Sequence, residues 1–181
     1  ESVFVDTSLW HKDSTIEYVL NHFETIPPPE DLQSRLEGRI QDARRLLEKF
    51  VQTMQPDLLI FHNAFHPLNL VGAVALNRMY SSEKGHISLP KCIVWSHDSF
   101  LERERFSRGN ELIRGYLRES ICGSYYSGIV FINSLQWEII QSYLKVECSS
   151  REEYLRDRNV VIYNTSEPLC RWYEEPSLPQ F

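Results

Sequence analysis

The sequence predicts an α/β domain: a Rossmann-like parallel sheet with helices on both faces. Three observations lead there. Short apolar runs of strand length alternate with amphipathic runs of helix length. The first run, DLLIFH at residues 57–62, is apolar almost throughout, as in a strand covered on both sides. Each run ends in polar residues that lead into a helix start, and such β-α alternation implies parallel pairing through right-handed crossovers.

The elements follow in order. From Ser14, Ile16, Val19, Leu20 and Phe23 make the i, i+3, i+4, i+7 stripe of a short helix capped by Asp13 or Ser14 and stopped by Pro27-Pro28-Pro29. Glu30 and Asp31 open a longer helix with Leu32, Leu36, Ile40, Ala43, Leu47 and Phe50 on its core face, ended by Pro56. Residues 57–62 are the first of the alternating strands, and 68–80 a largely apolar helix. Residues 91–96 form a second strand, 110–121 an amphipathic helix, and 128–132 (GIVFI) a third strand. Asn133-Ser134 cap the next helix, and 159–163 (NVVIY) form a fourth strand. Val3 to Val5 read as one more strand, and the tail after Asn164, with Pro168, Pro176 and Pro179, as a linker or docking extension.

Size and charge narrow the classes. A chain of 181 residues holds one sizeable core and falls short of two independent domains, and 42% hydrophobic with 24% charged residues is ordinary globular composition. A formal net charge of −6 without a basic stripe disfavours a nucleic-acid partner. The longest apolar stretch, 68–76, is broken by Asn69 and Gly72 and falls below the roughly 18 residues of a membrane span. Cys92, Cys122, Cys148 and Cys170 show neither zinc spacing nor a tight secreted framework, so free thiols in a reducing, cytoplasmic compartment are expected. Peripheral membrane contact through the helix from Leu32 is left open, because its four arginines and one lysine face acids at Glu37, Asp42 and Glu48. The chain begins with Glu-Ser and no signal peptide, which reads as a clipped N-terminus.

In an open parallel sheet, ligands bind beyond the carboxyl ends of the strands. Those ends carry His62-Asn63-Ala64-Phe65-His66, then Ser96-His97-Asp98-Ser99, then Asn133-Ser134, then Asn164-Thr165-Ser166-Glu167. The opposite edge shows no such pattern. His97 beside Asp98 is the leading functional candidate. A metal set of His62, His66 and His97 with Asp98 suits imidazole and carboxylate chemistry, although Pro67 opposes a helix carrying both His62 and His66. With seven glycines and no G-x-G, the chain has no dinucleotide or Walker loop, and it lacks G-x-S-x-G, H-E-x-x-H and D-x-D.

In order and spacing, PDLLIFHNAFHPLN, KCIVWSHDSFLERERF, GIVFINSLQWEII and NVVIYNTSEP resemble the N-terminal, acceptor-side domain of GT-B-fold retaining glycosyltransferases of the group 1 (family 4-like) type. The likeness spans residues 56–168. It implies one half of a GT-B fold. Residues 1–166 would be the Rossmann-like domain, and 167–181 the linker towards a second, nucleotide-binding domain of the same parent chain. The activity implied is transfer of a glycosyl group from a nucleotide-sugar substrate to a hydroxyl acceptor (glycan, lipid or small solute), with retention and without cofactor or metal.

His97 matches the histidine facing the inter-domain cleft, with Asp98 holding its ring or contacting acceptor hydroxyls. His62, Asn63, Ser99, Asn133, Ser134 and Asn164 are the implied acceptor-side residues, and Thr165 stands where the family usually has Gly. Glu167 with Glu175, and Glu111 with Glu119, have the E-x7-E spacing of the missing second domain but lie in the wrong half. The chain is then a fragment, inactive alone. The rival expectations are a non-catalytic sugar-binding or interaction module and a metal-dependent hydrolase.

Overall fold

The computed structural model describes residues 13–81, 89–123, 125–148 and 158–162. It is an α/β domain with a four-stranded parallel sheet flanked by helices, as expected. Helix α1 (Ser14–Asn21) is followed by α2 (Leu32–Met54), β1 (Leu58–His62), a 3₁₀ turn (Pro67–Asn69) and α3 (Leu70–Tyr80). Then come β2 (Lys91–Ser96), a second 3₁₀ turn (Phe100–Glu102), α4 (Glu104–Ser107) and α5 (Glu111–Ile121). The order ends with β3 (Gly128–Phe131), α6 (Ser134–Glu147) and β4 (Asn159–Val161). The expected strand at Val3 to Val5, the tail, Asn164, Cys170, the Glu167–Glu175 pair and the last residue of the fourth strand lie outside the described residues.

The strands stand in chain order, β1-β2-β3-β4, with Ile60 opposite Ile93, Trp95 opposite Val130 and Val130 opposite Val160. When every strand is laid down on the same side of its predecessor, right-handed crossovers put the connecting helices on one face. The contacts agree. Phe61 lies against Gly72 of α3, and Phe131 meets Trp137 of α6 edge-on at 5.4 Å; Phe61 and Phe131 share one side of the sheet through Val94 and Ile129. Helix α5 packs on α3, and α2 covers α3 from outside, burying Leu32, Leu36, Ile40 and Ala43.

The other face differs from the sequence expectation for the first strand. Burial in β1 alternates, and Leu58 and Ile60, with Val160 and Ile162 at the far edge, are 44–59% exposed. The cover by helices expected on both faces is therefore not met at β1 and β4 among the described residues.

Polar ties set the helix positions. Asp13 caps α1 by accepting from the Thr15 amide (2.9 Å) and pairs with Arg39 of α2 (2.9 Å). Asn110 caps α5 by accepting from Ile113 (3.1 Å), while its Nδ2 donates to the carbonyls of His22 (3.0 Å) and Phe23 (3.2 Å), binding the end of α1 to the start of α5. Arg78 of α3 donates to Glu37 of α2 (2.5 and 2.9 Å) and to Glu119 of α5 (2.8 and 3.1 Å), and Tyr116 donates to the same Glu37 (2.6 Å). The Arg78 hydrogen bonds hold the Glu37 carboxyl below its ordinary value of 4.5.

Cysteine chemistry departs from the free-thiol expectation. Cys122, at the end of α5, and Cys148, at the end of α6, form a disulfide with a Cα–Cα distance of 5.7 Å; the helix ends already meet through Arg118 and Glu147 (3.2 Å). Cys92 is free and buried in β2, and burial raises its thiol to about 12. No described helix is long and apolar enough to cross a membrane.

Gly128 is where a side chain would break the sheet, since a Cβ there would stand 2.6 Å from the Arg158 carbonyl oxygen. Gly128→Ala is expected to destabilise the domain by about 1–3 kcal/mol, read as a lower denaturant midpoint with the slope retained. The conformational freedom of glycine plays no part, because no glycine has positive φ among the described residues.

Candidate functional site

The carboxyl edge is built by the loops leaving β1 and β2, and Asn63 joins them. Asn63 takes a left-handed backbone (φ 58°), which Asn tolerates better than most residues, and so reverses the chain at once after β1. Its amide donates to the Trp95 carbonyl at the end of β2 (2.6 Å). Its side-chain Oδ1 accepts from the amides of His97 (3.2 Å) and Asp98 (2.8 Å). Its own carbonyl accepts from the His66 amide (3.1 Å) and from Nδ2 of Asn69 (2.9 Å). A further bond from the Phe100 amide to the Phe65 carbonyl (3.1 Å) closes the two loops together. The expected acceptor-side role of Asn63 therefore cannot use this oxygen, which is committed to holding the His97 turn.

The candidate residues divide into two groups. On one side the rings of His62 and His97 lie 4.4 Å apart, tilted by 46°. Burial, and secondarily the neighbouring His62, lower the pKa of His97 from 6.5, which keeps it neutral at neutral pH. On the other side the Asp98 carboxylate receives Arg103 Nη2, and its Oδ2 stands 3.8 Å from His66 Nε2. Asp98 thus pairs with Arg103 and lies near His66 rather than holding the His97 ring, the first of its two expected roles, the other being contact with acceptor hydroxyls. His66 Nδ1 accepts from the Leu68 amide (3.1 Å), placing the proton of its neutral ring on Nε2, towards Asp98. With Nδ1 engaged and the proton on Nε2, the neutral ring of His66 is not placed as a general base. Burial is the main cause of its lowered pKa.

This arrangement does not assemble the three-histidine metal set. Among the described residues no group of three or more His, Cys, Asp or Glu could hold a metal ion. Ser99 is fully buried, with no partner for its hydroxyl, and in this structure is closed off from an acceptor. Asn133 accepts from the Gln136 amide (2.8 Å) as the N-cap of α6, and Ser134 is exposed in its first turn. Asn164 lies outside the described residues.

Two hollows adjoin the edge. A groove of about 710 Å³ runs between the end of α1 and the start of α4, with His66 and Arg105 in its lining. A second of about 450 Å³ lies among α4, α5 and α6, floored by Phe100, Leu117 and Tyr143. Sequence reasoning missed the Arg103 contact and the groove. The charge alternation in LERERF does not reveal that contact, which the 3₁₀ turn at Phe100–Glu102 makes by bringing Arg103 back onto Asp98.

Two outcomes test this geometry. The folded state resists protonation of His97, so that contribution to stability is full above pH 6.5 and is lost as pH falls through 6.5 towards the lowered value. By NMR, His97 is expected to titrate below 6.5, and His62→Gln to move its midpoint upward. Asn63→Gly keeps the left-handed backbone and removes both side-chain hydrogen bonds. It is expected to abolish the ring-to-ring contact of His62 with His97 in nuclear Overhauser spectra and to cost about 1–3 kcal/mol, whereas Asn63→Asp retains the acceptor and restores the contact. No family model, curated protein or solved structure matches this chain.

Proposed function

We propose that this chain is the acceptor-side domain of a retaining, metal-independent glycosyltransferase, which moves a glycosyl group from a nucleotide-sugar to a hydroxyl acceptor. One observation carries the reading: His62, Asn63, His97 and Asp98 gather at the carboxyl edge of a parallel sheet, on the loops and in the order that the sequence likeness assigns to a donor–acceptor cleft. A neutral His97 can accept a hydrogen bond from a sugar hydroxyl or take its proton, which a permanently charged ring could not do. Asp98, pinned by Arg103, offers a fixed carboxylate next to it. No side chain here needs to act as nucleophile, because charge on the leaving phosphate would be met by groups of the second domain. The reading includes a cytoplasmic parent enzyme.

The test is transfer assayed on the full parent chain with a panel of nucleotide-sugars. His97→Ala is expected to lower kcat on the order of a hundredfold, and turnover is expected to survive a chelator. Unchanged turnover in His97→Ala would remove the site assignment. Absence of transfer from every donor, with sugars still binding the isolated chain, would favour the non-catalytic module.

A further inference from the structure

We propose that the groove beside His66 binds a phosphate ester of a hydroxylated compound, with Arg105 as the phosphate-binding group. The proposal rests on the glycosyltransfer reading and names the class of its acceptor. It begins from an imbalance among the arginines. Those of α2, α3 and α5, and both that flank α4, are paired with carboxylates, as in Arg103 with Asp98 and Arg108 with Glu104. Arg105, on α4 itself, has no carboxylate partner among the described residues. Its guanidinium lies over the Phe106 ring, 4.4 Å from the centroid, at the lining of the groove of about 710 Å³.

A guanidinium stacked on an aromatic ring keeps its plane and its in-plane N–H groups free, the geometry that grips two phosphate oxygens at once. Asn21, Glu24 and Thr25, from the end of α1, also line the groove. Glu24 would repel a second phosphate and accept from hydroxyls, so a ligand with one anionic end and one hydroxylated end fits better than a bare phosphate. The groove also reaches the candidate site. His66 lines it, and His66 Nε2 is 3.8 Å from the Asp98 carboxylate, the residue after His97.

The experiment is an NMR titration of the chain with glycerol 3-phosphate, inorganic phosphate and glycerol. Glycerol 3-phosphate is expected to shift the Arg105 Nε–Hε and His66 signals saturably, inorganic phosphate to do so more weakly, and glycerol at equal concentration to leave them unmoved. Arg105→Ala is expected to weaken binding at least tenfold, the loss of a charge-assisted pair of hydrogen bonds. Arg105→Lys is expected to fall between, with the His97 ring signals unchanged in both variants as proof of fold. Shifts equal with glycerol, no saturable shift with either phosphate, or affinity unaffected in Arg105→Ala would each overturn the proposal. The titration uses no nucleotide-sugar. A parent chain that transfers nothing would leave a positive result standing, and a groove blind to phosphate would leave transfer to a neutral acceptor intact.

Discussion

The chain order of the four strands is the constraint on which the other features depend. Parallel pairing of β1 to β2 to β3 to β4 sends every strand's carboxyl end to one edge, so the turns after β1, β2 and β3 must meet there. Stepping always in one direction also puts α3 and α6 on a single face. A layout that reversed direction partway would have put helices on both faces while leaving the polar turns at the same edge. The described residues instead form a helical side, a polar edge, and an apolar side carried by Leu58, Ile60, Val160 and Ile162.

Within that layout, single side chains carry tertiary information far beyond their size. Asn63 and Asn110 do matching work at different ends. The first ties two strand-end loops through one carbonyl oxygen, and the second ties a helix start to a helix end through an oxygen and an amide nitrogen. Arg78 is the charged counterpart, joining α2, α3 and α5 by its two carboxylate partners. Each asparagine supplies partners for backbone groups that loops and helix ends cannot satisfy for themselves.

Much of the fold was legible because it is local. The second strand was placed residue for residue at 91–96, and the caps Asp13 and Asn133 were readable from residue type and the apolar stripe that follows. The 3₁₀ entry to α3 was not, although Pro67 imposes it. The one-sided burial of β1 was hidden because DLLIFH reads alike whether its second face is covered or bare. The candidate site was legible as a set of residues and illegible as a set of contacts. Nothing in the spacing says that His97 turns to His62, that Asp98 turns to Arg103, or that Asn63 faces the backbone. Nor does a gap of 26 residues reveal that Cys122 and Cys148 meet, since that depends on α5 and α6 ending side by side.

The same disulfide gives β3 a standing no other described strand has. Closing residues 122 to 148 into a ring takes in the one described strand whose residues are all buried, together with all of α6. A chain cut inside that ring would remain one covalent molecule. The sheet's centre would then keep its neighbour at molecular rather than bulk concentration, and could close again after a nick that would dissolve an uncrosslinked layer.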